Sequence, residues 1–298
     1  MAKGEPLIRG GLVVVDKPAG MTSHDVVARV RRFAGTRRVG HAGTLDPMAT
    51  GVLLVGLGRA TRLLGHLSLH DKDYLATARL GQTTSTDDAE GAVLDVRSCA
   101  GIKADDVTAA AQRFVGDIEQ RPPAISAIKV EGRRAYARAR AGEDVVLATR
   151  RVHVARFDVV DVHPAITGEF VDVELNVTCS SGTYVRALAR DLGEALDVGG
   201  HLTALRRTRV GAFELSAARS LDELEREFTF TPLDEVAAAA FARRDLDADD
   251  AARLAHGVRL PASALAEVPV AAFGPDGSFI ALLEDRGETA YPVAVFVG

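Results

Sequence analysis

The chain has 298 residues, 47% hydrophobic residues, a mean hydropathy near zero (+0.07) and a net charge of −5. It can therefore bury a core, and its length suits one large domain with a small one, or two medium ones. No apolar run approaches the roughly 18–20 uncharged residues of a membrane span. The start, Met1-Ala2-Lys3-Gly4-Glu5-Pro6, lacks the apolar stretch and small-residue site of an export signal. Two cysteines, Cys99 and Cys179, can form neither a disulfide framework nor a self-sufficient zinc site, so a reducing cytoplasm is the expected setting.

There is no Trp and only 5% aromatic residues, so Val, Leu, Ile and Ala must build the core. The whole-chain charge argues mildly against nucleic acid, but the charge is segregated. Residues 221–298 hold 15 acids and 6 bases, whereas residues 1–220 hold 26 and 30. Clusters lie at Arg29, Arg31, Arg32, Arg37 and Arg38, at Lys129, Arg133, Arg134, Arg138 and Arg140, and at Arg206, Arg207 and Arg209. Polyanions bind such patches and not the average, although arginine-rich faces also serve solubility alone.

In chain order, Leu12–Val15 reads as a buried strand stopped by Asp16-Lys17-Pro18-Ala19-Gly20. Thr22 and Asp25 fit a capping box opening a helix with apolar Val26, Val27, Val30 and Phe33, which ends near Gly35. Residues 39–51 read as Gly-rich and irregular, and Val52–Leu57 as the next strand. Tyr74–Leu80 alternates as a strand does, and Val93–Val96 is its expected neighbour. Asp105–Val115 has helical spacing. Residues 117–150, with Pro122-Pro123 and a run of arginines, read as a surface insertion carrying a short helix.

Val152–Val162 and Phe170–Thr178 resume as strands, the latter placing Val171, Val173, Leu175 and Val177 on one face. Ser180-Ser181-Gly182 turns into a helix opening at Thr183, and Leu202–Leu215 returns as strand. Acidic, Ala-rich helical segments at 221–228 and 232–243 lead to three short strands, Val268–Phe273, Phe279–Leu283 and Tyr291–Val297. The expected fold class is α+β, a mixed, mainly antiparallel sheet with flanking helices, plus a small β-rich C-terminal domain. The boundary is placed near 231, giving domains of residues 1–230 and 231–298.

The segment with the most chemistry is Gly40-His41-Ala42-Gly43-Thr44-Leu45-Asp46-Pro47-Met48-Ala49-Thr50-Gly51. Pro47 pushes Asp46 out of helical geometry, and the small neighbours leave room for a close-approaching ligand. Asp46 and Thr44 equally suit local turn hydrogen bonds, and the loop alone leaves both readings open. Gly56-Leu57-Gly58-Arg59-Ala60-Thr61 has the outline of a dinucleotide fingerprint without its third glycine, and reads as a strand-to-helix turn.

The Gly40–Gly51 segment resembles the Gly-His-x-Gly-Thr-Leu-Asp-Pro-x-Ala-Thr-Gly signature of the bacterial tRNA pseudouridine-55 synthases. Lys17-Pro18-Ala19-Gly20, Asp73-Tyr74 with Leu80-Gly81, and Gly116–Pro123 through Lys129, Gly132 and Tyr136 are similar to further family segments. So are Cys179–Arg186 and Leu202–Phe213, and in order and spacing the resemblance spans about residues 10–215.

The resemblance implies isomerisation of one uridine in the tRNA T-loop, with the T-stem-loop as partner, no membrane and no obligate protein partner. The reaction is redox-neutral, which calls for no cofactor and no metal. The resemblance makes Asp46 the catalytic carboxylate, Arg186 the cation beside it and Tyr74 the stacking platform for a flipped base. It gives His41 the place of the extruded nucleotide and packs Leu202 against the base. Lys17 would support the loop or a phosphate, and Lys129, Arg133 and Arg134 would grip phosphates. It also implies that the C-terminal strands form a PUA-like RNA-binding domain. Two features depart from the family pattern: Ser181 stands where a basic residue is frequent, and the tail is acidic. A tRNA-binding folding chaperone without required chemistry is the alternative reading, and an RNA-guided synthase is disfavoured by the insertion.

Overall fold

The computed structural model describes residues 10–123, 129–130, 133–134, 148–164, 169–263, 265 and 269–297. The chain divides into two compact units. One comprises Met1–Asp46, Gly51–Leu69 and Val210–Gly298, the other Pro47–Thr50 and His70–Arg209.

In the first unit, β1 (Gly10–Lys17) runs antiparallel to β3 (Thr50–Gly58), from Gly10 opposite Gly58 to Lys17 opposite Gly51. Both are continuous apolar runs, as befits strands covered on two faces. The short strand Thr231–Pro232 pairs with β1 at Leu12 and Gly11. A side chain at residue 11 would meet Phe230 and the Thr231 carbonyl at 2.3 and 2.6 Å, so the close approach requires glycine. Helix Ser23–Phe33 begins with the expected capping box: the Thr22 hydroxyl accepts from the Asp25 amide and the Asp25 carboxylate accepts from the Thr22 amide. Its Val26, Val27 and Val30 are buried. Leu12, Val14, Val52 and Leu54 share one core with Leu63, Leu64 and Leu67, and with Phe213, Val236, Phe273, Phe279 and Phe296.

The C-terminal sheet runs in the order Ala242–Asp245, Val270–Phe273, Phe279–Arg286, Thr289–Val295, Leu260–Pro261. Its first pair is parallel, and its remaining pairs are antiparallel. Helix Ala248–Ala255, capped by Asp247, buries Ala251 and Leu254 against Ile280 and Leu283.

In the second unit, β12 (Gly200–Val210), β4 (Lys72–Leu80), β11 (Val171–Cys179), β10 (Arg150–Pro164) and β7 (Gly116–Gln120) are neighbours in that order. Along β11 the buried positions are Val171, Val173, Leu175, Val177 and Cys179, the period-two pattern of a strand with one covered face. Helix Ala104–Gln112 packs on β10 and on helix Val185–Ala195, which packs on β4. Gly193 lets that helix touch β12: a Cβ there would lie 2.2 Å from the Gly199 backbone.

Several expectations need correction. Val93–Val96 does not pair with the Tyr74 strand; it forms a separate antiparallel pair with Gln82–Thr84 and is exposed throughout. Residues 39–51 are not all irregular, since Val39–Ala42 is a strand paired with β3. The stretch from 117 is not insertion at its start, because Gly116–Gln120 is a strand paired along β10. The helix expected to reach Val115 ends at Gln112. The short helix expected within 117–150, with Gly132 and Tyr136, falls outside the described residues. Helix Ala248–Ala255 and strand Ala242–Asp245 were not anticipated: the strand is four residues long with two arginines, and the buried face of the helix is only Ala251 and Leu254.

Candidate active site

In the first unit, Asp46 is half-buried on the loop that follows the strand Val39–Ala42. Its neighbour Leu45 is fixed to the start of helix Ser23–Phe33. The Leu45 amide donates to Ser23 Oγ at 3.0 Å, and Ser23 Oγ donates back to the Leu45 carbonyl at 3.1 Å. Ser23 is buried, so this reciprocal pair satisfies backbone groups that water does not reach. Ser23→Ala is expected to lower stability by about 1–3 kcal/mol, read as a fall in Tm by thermal unfolding. An unchanged Tm would mean that the loop is held by other bonds.

His41 lies on the strand leading into this loop, its ring 5.2 Å from that of His24 and nearly perpendicular to it. Lys17 closes β1 and is wholly buried, with Nζ donating to the Pro18 carbonyl at 2.8 Å.

In the second unit, Tyr74 is buried on β4 opposite Val177. Two positions earlier, burial and nearby Arg207 bring the Lys72 ammonium down to about 8, and burial pushes the Cys179 thiol opposite it up to about 11. Arg186 stands in the first turn of helix Val185–Ala195, its side chain 7% exposed. Its Nη1 donates to the Thr86 carbonyl at 2.8 Å and to Asp88 Oδ2 at 3.1 Å. The Asp88 side chain is 3% exposed, and its Oδ1 accepts from the Thr86 hydroxyl and the Glu90 amide. Leu202 is wholly buried on β12 and meets the same turn: its amide donates to the Asp87 carbonyl, and its carbonyl accepts from the Ala89 amide.

The structure therefore brings Arg186 and Leu202 together through residues 86–89. Asp88 was not singled out in the sequence. It sits in a polar turn, Ser85-Thr86-Asp87-Asp88-Ala89-Glu90-Gly91, where no spacing separates it from its neighbours. Gln120 was also not anticipated. It pairs reciprocally with the Tyr184 backbone at the head of the Arg186 helix, accepting at 2.8 Å and donating at 3.1 Å.

Lys129 and Arg134 face each other in a two-residue antiparallel pair whose other couple is Val130 and Arg133. Their side chains lie outside the described part. The basic cluster at 206–209 is more internal than a phosphate-binding patch requires: Arg207 is buried and Arg209 holds Asp73 through two bonds of 2.7 and 2.9 Å. In the cluster at 29–38, Arg29 and Arg32 both pair with Glu225, while Arg31, Arg32, Arg37 and Arg38 are exposed. Among the described residues, no group of three or more His, Cys, Asp and Glu side chains could hold a metal ion, and no helix is long and apolar enough to cross a membrane.

In the second unit, a buried guanidinium held by an acid against the strand bearing Leu202 suits chemistry that develops charge away from water. The class of protein, a pseudouridine synthase, is given by the family to which the sequence matches. The family model for the N-terminal domain of TruB family pseudouridylate synthases matches residues 31–185, and two models of the family's C-terminal region match 186–245 and 241–297. The chain belongs to the TruB family of pseudouridylate synthases.

It is 59% identical to tRNA pseudouridine synthase B of Thermobifida fusca, over 97% of this chain and 99% of that one. The corresponding protein of Mycobacterium bovis is 55% identical, covering 96% and 95%. The crystal structure of a Cbf5-Nop10-Gar1 complex contains a chain with 26% identity and a TM-score of 0.73, covering 97% of this chain and 86% of that one. The C-terminal sheet is the PUA-like domain of the family.

Proposed function

We propose that this protein converts uridine 55 in the T-loop of tRNA to pseudouridine, with Asp46 as the catalytic carboxylate. Close relatives across nearly the whole chain are tRNA pseudouridine synthases. The observation that supports the catalytic reading is the fixed Asp46 loop: the residue preceding the carboxylate is bonded at both backbone groups, which limits the loop's freedom to move.

The reaction breaks the N1–C1′ bond of uridine, turns the base and joins C5 to C1′. The C5 hydrogen leaves as a proton and N1 gains one, so atoms and electrons balance without a redox partner. Asp46 serves as nucleophile or stabilises the cationic sugar. Arg186 supplies positive charge at the site, and its buried bond to Asp88 fixes where that charge stands. Tyr74 offers an aromatic face to the base taken from its stack, and Leu202 packs beside it. His41 fills the gap left in the T-loop.

Lys17, wholly buried on the Pro18 carbonyl, supports the neighbouring turn. Lys129, Arg133 and Arg134 hold phosphates of the T-stem, positioning the RNA without reading its sequence. The functional division is a catalytic domain of residues 1–230, gripping RNA through the segment that follows Gln120, and a PUA-like domain of residues 231–298. It works on tRNA in the cytoplasm as a single chain.

The test is tritium release from a tRNA T-arm transcript carrying 5-tritiated uridine. The purified chain is expected to release tritium from the wild-type transcript and none from one with cytidine at position 55. Tight binding with no release from either transcript would establish the chaperone reading in its place.

A further inference from the structure

Arg190 lies one helical turn beyond Arg186 on the same buried face of helix Val185–Ala195. It is 8% exposed, and a guanidinium so placed must find partners. They come from three segments. Nη1 donates to Asp87 Oδ2 at 2.8 Å, Nη2 donates to the Arg121 carbonyl at 2.8 Å, and Nε donates to Asp191 Oδ1 at 2.9 Å. Burial pushes the Asp87 and Asp191 carboxyls above the usual carboxylate range, and Arg190 is the cation that draws both back toward ionisation.

Asp87 is a consequential residue to hold. It is one of two non-glycine residues with positive φ among those described, at +58°, a conformation that side chains disfavour. The turn it belongs to carries both neighbours of the proposed chemistry. Its own carbonyl accepts the Leu202 amide, and Ala89 donates to the Leu202 carbonyl. Thr86 and Asp88 on either side of it accept from Arg186. Arg121, at the other end of the Arg190 fork, precedes Pro122-Pro123 and begins the arginine-rich segment.

We propose that Arg190 is a positioning residue for the isomerisation: by clamping the Asp87 turn to the Arg121 carbonyl, it holds Arg186 and Leu202 in working geometry and links their placement to the root of the RNA-gripping segment. The inference rests on the function proposed above. A planar guanidinium can satisfy the carboxylate and the carbonyl at once, whereas a lysine ammonium is a point donor that reaches one of them.

The experiment measures single-turnover pseudouridine formation at saturating tRNA, tRNA affinity and Tm, for the wild-type chain and for Arg190→Met, Arg190→Lys, Asp87→Asn and the Asp87→Asn/Arg190→Met double variant. Rates are taken well below each Tm and expressed per folded molecule. Arg190→Met is expected to slow the single-turnover step by about 10- to 100-fold, with affinity changed by no more than about threefold. Arg190→Lys should recover part of the rate, Asp87→Asn should slow the same step, and the double variant should be no slower than Arg190→Met alone.

A rate within roughly twofold of wild type, or a loss confined to Tm or to affinity, overturns the inference while leaving the proposed function intact. A wild-type chain that forms no pseudouridine overturns both.

Discussion

Asp46→Asn is expected to form no measurable pseudouridine while binding tRNA with near wild-type affinity. Asparagine has the size of aspartate but carries no charge, so it can neither attack C1′ or C6 nor stabilise a cationic sugar. The loop's anchor does not involve the replaced side chain: Ser23 holds the backbone of Leu45, and those two bonds survive the substitution. Fold and affinity should therefore be kept, and the loss should fall on the chemical step, by at least about 10⁴-fold in single-turnover rate. Tritium release and filter binding separate the two quantities. Wild-type turnover by the variant would remove Asp46 from the mechanism, and a matching loss of affinity would make it a binding residue.

The buried pair Arg186–Asp88 gives the second large effect, and here stability and activity part company. Both side chains are almost wholly buried, so removing one partner leaves the other charged in a poorly solvated place. Arg186→Met or Asp88→Leu alone is expected to cost about 3–5 kcal/mol. Removing both charges in the Arg186→Met/Asp88→Leu variant should restore much of that stability, because a buried ion pair and an apolar pair of similar volume differ little in net free energy.

Activity should not return with it. Losing one preorganised charge at a site of developing charge costs about 10²–10³ in rate. The double variant should therefore fold near the wild-type Tm and remain slow. Recovery of both would make the pair purely structural, and recovery of neither would mean that Thr86 and the surrounding turn depend on the pair for their fold.

What could be read in the sequence has a common character: it is local. The capping box at Thr22 and Asp25 depends on residues three apart, and both of its bonds form. The period-two burial along Val171–Cys179 is a property of one strand on one covered face. The Gly40–Gly51 segment identified the family before any geometry was known, because its chemistry is concentrated in twelve consecutive residues.

The places where reading failed needed a partner that the local pattern does not name. Val93–Val96 has a strand's composition, but which strand it joins depends on where the chain turns after Gly81. Gly116–Gln120 is too polar to announce a sheet strand, and it is one because β10 runs beside it.

The sequence by itself therefore determined the family, its Gly40–Gly51 signature and the order of most elements, since propensity, capping and motif spacing all act within a few residues. Only the tertiary structure decided what stands around Arg186 and Arg190. Asp88 and Asp87 lie 98 and 103 residues away along the chain. A buried guanidinium requires an anion beside it, but which acid comes close enough is set by the register of the sheet and the helix packed upon it.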